Sequence, residues 1–395
     1  MGGIRMRFKR FAYLLIAFLI LGCTATGTQT TSVSQNTTEA PYTPLPEIVI
    51  TFVDDDMNLA SAIPLPQTPE PTAEPTVIPT PKPTSTPEPT PTPLPYEPAD
   101  GVYTIAWISD PQHYSAKFPE LYESMTSFLR DNRERLHLAY IMHTGDLVNK
   151  TSDEAQWEVA KRAQSYIDDI PNGVLAGNHD CQKPDLFKPY SRYFGESHYK
   201  DKPWYGESYK DNHGHYDLLT IGHTDYLFVY MSFGPDNGCI KWLNSVFAKY
   251  PERIGILLLH DYCTNDFERS EDGEKLFQKV VKPNSNVYMV LCGHRYGAYR
   301  QIDLLDDDKD GTADRTVYQM MFNYQAAGKV GGDGYFRLLQ VDEDSGTMHM
   351  LTYSPSLDDF NRFDEPENRE KHYEIDENSE DFILPFPWIS ENPPA

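Results

Sequence analysis

The sequence predicts an α/β fold in which two mixed sheets pack face to face with helices outside. Three features carry that prediction. From Gly101 to Asn178 strand-like and helix-like segments alternate; from Tyr216 to Tyr353 most segments are strand-like; and apolar runs repeatedly end on residues able to bind a metal. Alternating β and α segments favour a parallel sheet with right-handed crossovers, whereas successive strands joined by short turns pair antiparallel.

Taken in order, Val102 to Ile108 is an apolar run of strand length ending on Ser109-Asp110-Pro111-Gln112-His113. Phe118, Leu121, Tyr122, Met125, Phe128 and Leu129 then recur at helical spacing. Leu138 to Met142 is a second strand, running into Gly145-Asp146. Thr151-Ser152-Asp153-Glu154 reads as a capped helix start, with the helix reaching about Asp169. Val174 to Ala176 leads into Gly177-Asn178-His179-Asp180. In the second half, Tyr216–Ile221 and Tyr226–Phe233 form a hairpin pair and Ile240 to Tyr250 a helix. Ile254 to Leu259 is a strand ending on His260, and Val287 to Leu291 one that leads to Gly293-His294. Tyr318 to Phe322 and Tyr335 to Tyr353 complete the β-rich part, with turns at Gly332-Asp333-Gly334 and Asp344-Ser345-Gly346. The insert from His179 to Tyr216 is rich in aromatics (Tyr190, Tyr193, Phe194, Tyr199, Trp204, Tyr205, Tyr209) and is expected to wall one side of a cleft.

The ends of the chain read differently. Arg5, Arg7, Lys9 and Arg10 precede an apolar run, Phe11 to Leu21, that is short for a membrane span. It closes on Ile20-Leu21-Gly22-Cys23, which resembles the lipobox of bacterial lipoproteins and implies cleavage after Gly22 and a lipid on Cys23; the other reading is an uncleaved signal anchor. Residues 1–22 are therefore expected to be a signal peptide. Seventeen of the 32 prolines fall between Pro41 and Pro98, so residues 23–99 are expected to be an extended linker with little to bury. A domain at 100–355 and an acidic tail at 356–395 complete the division. The expected location is outside the cytoplasm, lipid-anchored to the membrane of a bacterium. Net charge is −25, which argues against a docking surface for nucleic acid. Cys181, Cys239, Cys263 and Cys292 are too scattered for a disulfide scaffold. A Cys181–Cys263 bridge and free buried thiols are the two readings open here.

Carboxylate and amide oxygens mixed with imidazoles suit Mn, Fe or Zn in a hydrolytic centre better than a structural zinc, which wants thiolates. Because each cluster follows a buried strand, the ligands converge where an α/β sheet places its strand ends. The ordered series D…GD…GNHD…H…GH resembles the calcineurin-like metallophosphoesterase superfamily, over roughly 101–355. The resemblance implies a four-layer α/β/β/α sandwich of two mixed sheets flanked by helices, with two metal ions at the strand ends. Asp146 stands where a carboxylate reaches both metals. Asn178, His260 and His294 match the remaining ligands of one site, and a metal-bridging hydroxide is expected to attack phosphorus in line. His179 matches the histidine that stabilises or protonates the leaving oxygen, and Asp180 is expected to hold its imidazole.

Two positions depart from the family pattern. Gln112 stands where D-x-H has its imidazole, and Tyr296 where GHxH has its last one. A weaker second metal is therefore expected, held mainly by Asp110 and Asp146 with Gln112 and Tyr296; a phenolate there favours ferric iron. His113 is one residue out of register and points to the other face if the strand continues. Arg295 is a candidate phosphate clamp or a salt-bridge partner. His143 and His215 are expected to be packed or hydrogen-bonded rather than ligands. Separately, Asp306, Asp308, Asp310, Thr312 and Asp314, with Gly311 at the turn, follow the spacing of a calcium loop but lack its closing Glu. The expected activity is hydrolysis of a phosphate mono- or diester by a monomer. The rivals are a degenerate phosphate-binding lipoprotein and a surface adhesion or scaffold protein.

Overall fold

The computed structural model describes residues 97–182, 186–266, 268–325, 330–361 and 377–386. They belong to one of the chain's two units, Pro87–Ala395; the other, Met1–Thr86, lies outside them with the expected signal peptide and Cys23.

Alternation along the first strand sets the layering. In β1 (Tyr103–Ile108), Ile105 and Trp107 face one side while Ala106 and Ile108 face the other, as the period of two requires. Strands β1, β2 (Leu138–His143) and β3 (Asn172–Val174) run parallel. The crossovers carry α1 (Gln112–Lys117), α2 (Pro119–Asp131) and α3 (Glu154–Ser165). On the far side of β1 lie β11 (Phe336–Asp342) and β12 (Thr347–Ser354), each antiparallel to its neighbour.

The second sheet has the order β4 (Tyr205–Tyr209), β5 (Gly214–Ile221), β6 (Thr224–Met231), β7 (Ile254–Leu259), β8 (Val287–Cys292), β10 (Arg315–Asn323), β9 (Gly297–Leu305). Its middle four strands are parallel and its edges antiparallel. Ile105, Trp107, Tyr140 and Met142 of the first sheet meet Phe228, Tyr230, Ile256, Leu258 and Leu291 of the second in a shared core. Burying an aliphatic or aromatic side chain of this kind contributes about 1.5–3 kcal/mol. Tyr122, Met125, Leu129 and Trp157 cover the outer face of the first sheet. Leu243 and Phe247 of α6 (Asn237–Lys249) cover the second sheet, with Leu276 of α7 (Glu271–Leu276) and the π-helical turn Phe277–Val281 that follows it. The four-layer α/β/β/α sandwich expected from the sequence is therefore the fold.

Two expectations are corrected. The domain does not stop at 355: β13 (Asp359–Phe360) and β14 (Phe382–Pro385) both pair with β12, so part of the acidic tail completes the first sheet. Glu380, ahead of β14, is fully buried, and its carbonyl accepts from Thr352 Oγ1 at 3.0 Å. Nor do most aromatics of the 179–216 insert wall a cleft. Tyr190, Phe194 and Tyr199 are buried because α4 (Lys188–Phe194) and α5 (Glu196–Tyr199) lay their apolar sides on the first sheet's outer core, and Trp204 is buried in the core between the sheets.

Candidate metal centre

Parallel strands point their C-terminal ends the same way, and five of these ends carry the expected ligands. Asp110 follows β1, Asp146 follows β2, Asn178 follows β3, His260 follows β7 and His294 follows β8. Asp146, His260 and His294 bring ligand atoms within 4.8 Å of one another. His260 Nε2 lies 3.0 Å from Asn178 Oδ1 and 3.3 Å from Asp146 Oδ1. Asp110 joins the same cluster through the backbone: the His294 amide donates to both its oxygens at 3.1 Å.

The loops are bent to make this possible. Asp110, Asp146 and His294 have φ of 54°, 57° and 69°, in the left-handed region that non-glycine residues seldom occupy. Strain of that kind costs about 1–3 kcal/mol per residue and collects at functional sites. The glycine before His294 fits because a Cβ at Gly293 would stand 2.1 Å from Asp110 Oδ2. Ser109 Oγ donates to Asp110 Oδ2 at 2.5 Å and shares a hydrogen bond with Thr144 Oγ1, which accepts from Trp107 Nε1 at 3.0 Å. Ser109 and Thr144 escaped the sequence reading, although each adjoins a motif.

The donor set fits a metal on chemical grounds. His260 donates its Nδ1–H to the Thr144 carbonyl at 2.8 Å, which leaves the Nε2 lone pair facing an amide oxygen and a carboxylate oxygen. Three acceptors at hydrogen-bond distance need a cation between them, a proton or a metal. The electrostatics of the buried groups point the same way. Burial lowers the His260 pKa, but attraction to Asp146 outweighs it and pushes the value up to about 10. Burial also raises Asp146, and His260 more than reverses that, so Asp146 is held below the usual carboxylate range. Asp110, buried beside a second carboxylate, is pushed up to about 7. Nitrogen and oxygen donors of this mix suit Mn, Fe or Zn.

The other half of the centre is the one where the sequence departs from pattern. Gln112 is buried; its Nε2 donates to Asp146 Oδ2 at 2.9 Å, and its Oε1 has no hydrogen-bond partner among the described residues. That orphaned oxygen is an acceptor with capacity to spare for a cation. Tyr296 is 38% exposed, unlike the buried Asp110, Gln112 and Asp146. Strand alternation does not govern His113, because the strand ends at Ile108 and α1 begins at Gln112. This histidine is half-buried and close enough to feel the charges of both His179 and Asp146. Arg295 is exposed; burial raises the Asp261 carboxyl above its ordinary value, and Arg295 offsets only part of that rise.

Asp180 does not hold His179. Its carboxylate is fully buried and accepts from the backbone amides of Leu147, Val148 and Gly177 at 3.0, 2.9 and 2.8 Å. His179 instead donates its Nδ1–H to the Asn149 carbonyl at 3.0 Å, leaving Nε2 as the nitrogen available to a substrate. The His179 amide donates to Asp146 Oδ1 at 2.9 Å, so this loop and that carboxylate position each other. His143 is hydrogen-bonded to Tyr122 and the Gly145 amide, as expected of a packed histidine.

Two peripheral expectations can be placed. Asp306, Asp308 and Asp314 carboxylates lie within 4.8 Å of one another on the exposed turn between β9 and β10. Asp310 stands apart from that trio, its Oδ1 accepting from the Thr312 amide at 2.7 Å. The four cysteines are buried and free. Cys181 donates to the Gly177 carbonyl at 3.2 Å and Cys263 has Cys292 as its thiol neighbour, so the Cys181–Cys263 bridge is not formed.

Residues 103–296 match the family model described as calcineurin-like phosphoesterase. The chain is 44% identical over 270 residues to the uncharacterized protein YvnB of Bacillus subtilis (strain 168). That match covers 68% of this chain and 21% of the relative, so the chain spans about a fifth of that protein's length. Among solved structures, purple acid phosphatase PPD1 from yellow lupin superposes with a TM-score of 0.46 at 13% identity, covering 68% of this chain and 54% of that one. The protein TT1561 of Thermus thermophilus gives 0.39 at 13% identity, covering 66% and 97%.

Proposed function

Because this chain carries a calcineurin-like phosphoesterase domain, we propose that it is a metal-dependent hydrolase of phosphate mono- or diesters acting outside the cytoplasm. One observation carries the reading: loops from five strand ends in two sheets bring Asp110, Asp146, Asn178, His260 and His294 together, three of them with ligand atoms within 4.8 Å. Asn178, His260 and His294 with Asp146 would hold one ion, and Asp110, Gln112 and Asp146, with Tyr296 from the last motif, a second. Bound ions supply Lewis-acid stabilisation of the charge that builds on phosphoryl oxygens and make water nucleophilic at neutral pH. The chain's own residues do the rest. The Asn149 carbonyl fixes the His179 tautomer, so that Nε2 can hold or deliver a proton at the leaving oxygen. Arg295, exposed beside the last motif, is a phosphate contact in this reading.

Three finer points belong to the same proposal and rest on the sequence. Gly22-Cys23 after an apolar run supports a lipid anchor on the outer face of a bacterial membrane, with the proline-rich stretch as a spacer. A monomer and a weak calcium ion at the Asp306–Asp314 turn complete it. The alternative, a phosphate-binding protein without turnover, is favoured by Gln112 and the exposed Tyr296.

The test is turnover of bis-p-nitrophenyl phosphate and p-nitrophenyl phosphate by the full-length chain supplied with manganese, beside Asp146→Asn. Turnover that vanishes in the variant, with the ratio of the two rates naming diester or monoester, is the expected result. A folded, metal-loaded chain that turns over neither compound leaves the binding protein standing.

A further inference from the structure

We infer that Asp261 is the positioning residue for His294: its carboxylate accepts the Nε2–H of the imidazole and so presents Nδ1 to the ion held by Asp146 and His260. The inference deepens the phosphoesterase reading and rests on it.

Three observations support it. Asp261 Oδ2 stands 3.8 Å from His294 Nε2, and among the described residues it is the one carboxylate within 4.0 Å of that ring. Closing to a hydrogen bond of about 3 Å needs a shift of under an ångström or so in one side chain. Second, Asp261 Oδ1 is buried with no hydrogen-bond partner among the described residues, and Ser270 is the side chain that hydrogen-bonds the carboxyl. A buried carboxyl with an oxygen left over still has capacity to accept a further donor. Third, the neighbouring ligand already shows the arrangement. His260 gives one ring N–H to the Thr144 carbonyl and turns the other nitrogen to the cluster. Metal-binding histidines commonly spend their second nitrogen in this way, on a carboxylate or a carbonyl.

Asp261 directly follows His260, so a single loop after β7 supplies both a ligand and the group that orients another ligand from β8. Arg295, one residue past His294, is near enough to offset part of the burial that raises the Asp261 carboxyl. On this view, part of the Arg295 charge is spent on Asp261 rather than on substrate.

The experiment uses the full-length chain labelled with 15N-histidine and loaded with zinc. Two-bond 1H–15N correlations report which nitrogen of each histidine is coordinated, and His294→Asn assigns the signal. Manganese dissociation constants are measured in parallel for the wild type, Asp261→Asn and Asp261→Ala, with circular dichroism to confirm folding. Nδ1 coordination of His294 with a protonated Nε2 is expected, and Asp261→Ala weakens manganese binding about 10–100-fold. Asp261→Asn retains an accepting oxygen and loses less; it also serves if the alanine variant does not fold. Coordination through Nε2, or wild-type affinity in both variants, overturns the inference while leaving the phosphoesterase reading intact. A wild-type chain that binds no manganese or zinc sinks both.

Discussion

A Cβ on Gly177 would stand 2.0 Å from Oδ1 of Asp146, and 2.5 Å from the Asp146 amide. The Asp146 carboxylate thus occupies the space that any other residue at 177 would fill. The loop after β3 touches the loop after β2 through this missing side chain.

Gly177→Ala is expected to expel the Asp146 carboxylate from the cluster. Overpacking of this sort costs about 1–3 kcal/mol. Manganese titration and thermal unfolding together check it: affinity falls along with stability. A Gly177→Ala chain with wild-type metal affinity shows that the carboxylate can move without consequence.

His179 and Asp180 are adjacent but should fail differently. Asp180→Ala strips the acceptor from three buried amides, and each orphaned group costs about 1–3 kcal/mol. Urea unfolding is expected to shift strongly. His179→Ala should leave the unfolding midpoint nearly unchanged and lower kcat by about 10²–10⁴-fold, with metal content retained. Equal losses of kcat at unchanged stability in both variants would restore Asp180 to a catalytic pairing with His179.

The buried pair His215 and Asp217 makes stability depend on pH in a way that can be separated. Their Nε2 and Oδ2 are 3.8 Å apart, neither ring nitrogen of His215 has a hydrogen-bond partner among the described residues, and Tyr140 donates its hydroxyl to Asp217. Burial pushes His215 down to about 3 and Asp217 well above the usual carboxylate range, which favours the neutral form of each in the folded chain. A depressed histidine means the unfolded chain binds the extra proton below its own value of 6.5, so stability from His215 is lost as pH falls through that window. The raised Asp217 works the other way, its contribution being lost as pH rises above the unfolded value of 3.8. Between those two values the effects oppose. Asp217→Asn removes one of them, so its stability relative to wild type should climb with pH by up to about 1.4 kcal/mol per unit. Parallel stability–pH profiles for the two chains would mean that Asp217 is ionised in the fold.

Much of this architecture was written locally. A strand run and the ligand that ends it are contiguous, so Asp110, Asp146, Asn178, His260 and His294 could each be read beside the strand that places them. The departures at Gln112 and Tyr296 were visible in the same way. Beyond that reach lay everything decided by partners distant in sequence. Pairing of β13 and β14 with β12 depends on an edge formed elsewhere in the chain. The aromatics of the 179–216 insert gave no periodic sign of which face they would bury.

By itself, the sequence determined the strand order of chemistry, the residue types that meet a metal and the fold class, because hydrophobic period and strand-end ligands are properties of neighbouring residues. Only the tertiary structure decided how each polar group spends its hydrogen bonds. Asp180 went to three backbone amides and His179 to the Asn149 carbonyl. Those choices follow from distances of a few ångströms between loops far apart in sequence, and no local pattern encodes them.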